Sequence, residues 1–119
     1  MLMTTSEQVA GKRVVRSIGL VWGSVVRTRH IGRDILAGLK NLVGGEVKGY
    51  SELLDRARQE AIYRMEEQAR RMGANAVIGV RFATSQLMQG AAEVLVYGTA
   101  VVIEDDQEPG TGRDLPAFS

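Results

Sequence analysis

Met72-Gly73-Ala74-Asn75-Ala76-Val77-Ile78-Gly79-Val80 carries the chain from a charged helical pattern straight into an apolar strand, with no linker between them. That switch constrains the fold more than any other stretch. Gly73 stands where a helix end wants a left-handed residue, and no charge interrupts the residues that follow up to Val80. A second apolar run, Val94 to Ile103, comes after a glycine-containing break, so the chain reads as a hairpin of Ala76–Ser85 and Ala92–Ile103 around Leu87–Gly90. In the second strand Val94, Val96, Ala100 and Val102 face one way, and Leu95, Tyr97, Val101 and Ile103 face the other. One helix covers only one of these faces. Each large side chain left in water forfeits about 1.5–3 kcal/mol, and a contiguous patch of them normally marks an interface. The expectation is a closed homo-oligomer in which sheets of neighbouring subunits pack or join edges.

Upstream, alternation from Lys12 to Thr28 reads as one long strand. Val14, Arg16, Ile18, Leu20, Trp22 and Val26 make a large face. Val15, Ser17, Gly19, Val21, Gly23 and Val25 make a smaller one, as if another backbone approaches it closely. Gly19 and Gly23 suggest bulges that curve the strand. Ile31, Ile35, Leu36, Leu39, Leu42 and Val43 recur at helical spacing, which predicts a helix over 31–43. A loop from Gly44 then leads to Ser51, read as the N-cap of a long helix ending near Met72. Leu54, Ala57, Ala61, Met65, Ala69 and Met72 form its apolar stripe, widened by Ile62, and the alanines imply close packing on a sheet. Residues 1–11 are a lead-in or a short edge strand. The predicted order is β-α-α-β-β, a small α+β two-layer sandwich with helices on one face of a mainly antiparallel sheet. A chain of 119 residues has no room for a second core, so one domain is expected over 1–104, followed by an acidic, disordered tail over 105–119.

Composition narrows the chemistry. There is no cysteine, which removes disulfides, thiolate metal sites, iron–sulfur clusters and cysteine nucleophiles together. No apolar run approaches the roughly 18–20 residues of a membrane span, and no signal-peptide core is evident, so a cytoplasmic protein without a membrane partner is expected. Charge is uneven. Residues 11–40 carry Lys12, Arg13, Arg16, Arg27, Arg29, Arg33 and Lys40 against Asp34 alone, while 104–119 are strongly acidic. This is either a solvated basic edge with an acidic tail or a basic rim that binds an anion. The absence of interleaved aromatics argues against nucleic acid.

Gly44-Gly45, Gly49-Tyr50, Ala57-Arg58, Ala69, the run Met72 to Val80 and finally Gly98-Thr99-Ala100-Val101 together resemble the YbjQ family (UPF0145), small bacterial and archaeal proteins often labelled heavy-metal-binding. The resemblance spans Thr4 to Ile103. It implies a subunit similar to the small α+β subunits of dodecin, assembled into a ring that is typically a pentamer. Some relatives carry acidic residues in the strand after Gly79; here Val80-Arg81-Phe82-Ala83-Thr84-Ser85 supplies an arginine and no carboxylate.

His30 is the one histidine, beside Arg27, Arg29 and Arg33. Alone it makes no metal site and no catalytic triad, and its neighbours disfavour a cation. Ser24, Ser51 and Ser85 have no motif context, so no enzyme is expected. Met1, Met3, Met65, Met72 and Met88 are soft donors, of which Met65 and Met72 lie on the core stripe. The glycine-bearing loop with Lys48 precedes a helix start but lacks the Gly-Lys-Ser/Thr ending of a P-loop. Arg29, His30, Arg33 and Lys48 are therefore the candidate ligand-binding residues. The expected function is a non-enzymatic, ring-forming homo-oligomer binding a metal ion or small anion at subunit interfaces. The alternative is a scaffolding ring that recruits a protein partner, for which the acidic tail is a candidate contact.

Overall fold

The computed structural model describes residues 1–28 and 45–106, with the side chains of 45–50 left undescribed. Strand β1 is Leu2–Met3, β2 is Lys12–Thr28, helix α1 is Gly45–Arg71, β3 is Ala76–Met88 and β4 is Ala91–Asp105. The sheet order is β1-β3-β4-β2, with β1 parallel to β3 and the other pairs antiparallel. Residues 1–11 thus do contribute a short edge strand, and the sheet is mixed. The helix expected over 31–43 lies outside the described residues.

Helix α1 starts at Gly45, so Ser51 lies inside it and is no N-cap, and most of the expected loop before it is helical. Its far end behaves as the glycine demands. Gly73 has φ +91°, the Ala74 N–H donates to Ala69 O and the Gly73 N–H to Arg70 O, each at 3.0 Å. This pair of bonds closes the helix in a Schellman motif and turns the chain directly into β3. Ala57, Ala61, Met65 and Ala69 are fully buried along one stripe, with Leu54 and Ile62 packed at its flanks. Met72 leaves the stripe and is exposed, because it sits at the cap where the helical repeat ends.

The stripe rests on the small face of β2, as the sequence implies. Val21 and Val25 are buried there beside Val94, Val96 and Ala100 of β4. Gly23 is no bulge; it is the point where the helix backbone meets the strand, and a Cβ there would lie 1.9 Å from Ala61 O. The irregularities of β2 fall between Val14 and Arg16 and between Ser17 and Gly19, where Gly19 takes φ +146°. The second shift turns Ile18 toward the helix-side core rather than leaving it with Leu20. A smaller cluster of Ala76, Val101 and Ile103, with Leu2 and Ile78, occupies the opposite face at one end of the sheet.

Asn75 explains the Gly-Ala-Asn-Ala spacing. Its Oδ1 accepts from Ile103 N–H at 2.8 Å and its Nδ2 donates to Ile103 O at 3.0 Å, so the side chain imitates a strand neighbour and pins the helix–strand junction to β4. Removing it leaves two partly buried backbone groups unpaired. Asn75→Ala is expected to cost about 2 kcal/mol, read as a lower urea midpoint at unchanged slope.

Candidate functional site

The sheet face turned away from α1 is left uncovered among the described residues. Register places Trp22 of β2, Tyr97 of β4 and Arg81 of β3 in one row across the sheet, with Ser24, Leu95 and Ala83 in the next. Leu20 is 62% exposed, Val26 51%, Trp22 48% and Tyr97 38%. Two polar side chains of this face, Arg81 and Ser24, are tied within the chain. Arg81 Nη1 donates to Thr5 O at 2.8 Å and Val80 O at 2.9 Å, and Ser24 Oγ bonds Glu93 Oε2 at 2.8 Å. Apart from the exposed Thr99 and Ser85, what remains facing outward is aliphatic and aromatic surface of the kind that ordinarily lies against protein.

The basic edge is largely neutralised where it is described. Lys12 pairs with Asp105, Arg13 reaches Glu104 at 3.4 Å, and Arg27 pairs with Glu60. The first two contacts follow from the antiparallel register, which sets the cationic start of β2 against the acidic end of β4, and the third joins the end of β2 to α1. The hydrogen bond from Lys12, reinforced by its charge, holds the Asp105 carboxyl below the usual carboxylate range. A depression of about 630 Å³ opens along Glu7, Lys12 and Arg13, but those two cations already face carboxylates. A smaller apolar groove of about 280 Å³ lies between Met3, Ile62 and Phe82.

Of the residues singled out from sequence, Arg29, His30 and Arg33 lie outside the described residues, and Lys48 falls on α1 with its side chain undescribed. The uncovered face was present in the sequence as the large face of β2 and the outer face of β4. Charged and titratable residues are conspicuous singly, whereas this face is marked in the sequence only by apolar alternation across two strands.

The described donors do not suit a heavy metal. No group of three or more His, Cys, Asp or Glu side chains converges among the described residues. Glu60 and Glu66 are occupied by arginines, with Glu60 bonded to Arg64 at 2.7 Å and Glu66 paired with Arg70. Met65 is fully enclosed in core packing, while Met72 and Met88 are exposed. Soft ions want thiolate or imidazole donors brought together, and no such group converges among the described residues, while the thioethers of Met1, Met3 and Met65 belong to the helix-side core cluster. No helix among the described residues is long and apolar enough to cross a membrane.

A family model described as "Putative heavy-metal-binding", YbjQ, matches residues 1–104. A UPF0145 protein of Hahella chejuensis is 64% identical over 104 residues, covering 87% of this chain and 100% of that protein. UPF0145 proteins of Clostridioides difficile, at 58% over 106 residues, and of Thermus thermophilus, at 57% over 107 residues, cover 89% and 90% of the chain and 95% and 94% of their own lengths. Among solved structures, a protein with unknown function from Pediococcus pentosaceus superimposes with a TM-score of 0.60 at 19% identity, covering 87% of this chain and 98% of that one. That likeness supports the small α+β fold.

Proposed function

The chain belongs to the YbjQ family of UPF0145 proteins, and on that premise we propose that it works as a non-enzymatic, self-assembling binding protein whose subunits close on one another through the uncovered sheet face. The observation that carries this reading is the exposed set Leu20, Trp22, Val26 and Tyr97 on a sheet that, among the described residues, a helix covers on its other side only. Burying side chains of this size contributes about 1.5–3 kcal/mol each, enough in concert to drive association. The family resemblance supports a dodecin-like ring, typically a pentamer, in the cytoplasm. The domain of residues 1–104 would form the ring, and 105–119 would be an acidic tail that leaves it after Asp105, the last residue of β4.

A small anion at the subunit interfaces suits this chain better than a heavy metal. Arg29, Arg33 and Lys48, with His30 among them, supply the cationic rim for it, and Glu60, Glu66, Glu104 and Asp105 are already engaged by arginines and lysine. The scaffolding alternative, with the tail capturing a protein partner, shares the same assembly. Trp22 is the sole tryptophan, so its emission reports burial of the face directly. Emission is expected to be blue-shifted in the assembled protein and to move red on dilution, with no change on adding a chelator. A spectrum that stays that of a solvated indole at every concentration sinks the self-assembly reading. Stoichiometric zinc or copper in elemental analysis of purified protein would restore the metal reading.

A further inference from the structure

Among the described residues, the uncovered face carries one cation and one anion that have no counter-ion. Register places Arg81 of β3 in the row of Tyr97 and Trp22, and Glu93 of β4 in the row of Ser85 and Val26. The other charges that the register sets on this face, Lys12 and Asp105, pair with each other at its end. Arg81 and Glu93 do not meet within one chain. Their rows lie four residues apart along β4, about 13 Å of strand, and each side chain is fastened where it stands.

The fastening leaves complementary parts of both groups unused. Arg81 commits Nη1 to two backbone carbonyls, Thr5 O at 2.8 Å and Val80 O at 2.9 Å. Its Nε and Nη2 edge, the fork that matches a carboxylate with two parallel hydrogen bonds, donates to no described residue. Glu93 accepts from the Ser24 hydroxyl at 2.8 Å through Oε2, and its Oε1 accepts from no described residue.

Closing the face against another surface takes both groups out of water. A carboxylate or guanidinium buried singly is strongly destabilising, whereas a hydrogen-bonded pair offsets much of the desolvation of both. A purely apolar cover would leave each of them unmatched. A second copy presents on this same face the guanidinium that Glu93 lacks and the carboxylate that Arg81 lacks, a charge complementarity that singles out this chain as its own partner.

We propose that the Arg81 guanidinium of one copy binds the Glu93 carboxylate of a neighbouring copy across the sheet-face contact. The inference rests on the self-assembly reading and adds to it the pair that sets the register of the contact. Leu20, Trp22, Val26 and Tyr97 supply the buried apolar area, and the ion pair decides where on the neighbour they land.

Native mass spectrometry of full-length variants, with circular dichroism to show that each is folded, tests the pair. Arg81→Glu and Glu93→Arg each set like charges together, and each is expected to weaken association on the order of a hundredfold or more. The variant carrying both changes restores the pair with its sense exchanged and is expected to recover the assembly. Where a reversal does not fold, Arg81→Gln and Glu93→Gln take its place. Each alone is expected to weaken association about thirtyfold or more, and the two together no more than one alone. Reversals that leave the assembly intact, a double reversal that does not recover it, or neutral substitutions whose effects simply add overturn the pair. The sheet-face reading then still stands if Trp22→Asp dissociates the assembly. A single-chain mass for the unsubstituted protein overturns both.

Discussion

Gly23→Ala will lower the stability of the subunit on the order of 3 kcal/mol, more than any other single-methyl addition in the described core. The methyl would fall 1.9 Å from Ala61 O, 2.8 Å from Met65 N and 2.9 Å from Ala61 C. All three atoms are helix backbone, which has no rotamer to change. The helix must lift from β2 along the stripe of Ala57, Ala61, Met65 and Ala69, loosening contacts with Val21 and Val25 at the same time. Gly98→Ala offers the comparison. Its methyl would meet Val77 Cγ1 at 2.8 Å and Ile78 O at 3.0 Å, and the first of these is a side-chain atom that can give way. Gly98→Ala should therefore cost less than Gly23→Ala. Urea unfolding of the two variants checks this order, with a drop in midpoint of about 1–3 M for Gly23→Ala at an unchanged slope. Equal midpoints for Gly23→Ala and the unsubstituted protein would mean that α1 does not sit on β2 as described.

Trp22→Asp will act on assembly and hardly at all on the subunit. Trp22 is 48% exposed in the single chain, and its side chain belongs to the face away from the core. The helical and strand content should be retained in circular dichroism. In the assembly, however, the carboxylate would stand among Leu20, Val26 and Tyr97, and Arg81, the cation of that row among the described residues, is held by Thr5 O and Val80 O. Burying an unpaired charge costs several kcal/mol per copy, a loss of affinity of about a thousandfold or more. Sedimentation should show a species near the single-chain mass of 12.9 kDa at concentrations where the unsubstituted protein is assembled. An unchanged assembly would move the interface off this face.

Much of this architecture can be read from residue patterns, and the failures have identifiable causes. The Gly73 cap, the alanine stripe and the small face of β2 are local or periodic signals, and each places an element correctly. Gly23 was informative about a close approach but ambiguous between a bulge and a helix contact, because both require the absence of a Cβ. Ile18 changed faces because a register shift breaks the period of two, and nothing local to Ser17-Ile18-Gly19 announces on which side the extra residue falls. Ser51 looked like a cap because Ser before Glu52 is a strong local start signal, yet the helix continues six residues further toward the amino terminus. The candidate site divides in the same way. The outer face of β2 and β4 is visible in alternation alone. The contact of α1 with the outer edge of β2 is not, because it depends on Gln68 and Arg64 reaching strand residues forty or more positions away.

Native mass spectrometry of the full chain without an affinity tag tests self-assembly most directly. The expected result is a closed assembly at an integral multiple of 12.9 kDa, persisting at micromolar concentration and lost in Trp22→Asp. A stable 12.9 kDa monomer under the same conditions would contradict it, and would require Leu20, Trp22, Val26 and Tyr97 to be covered within one chain or left in water.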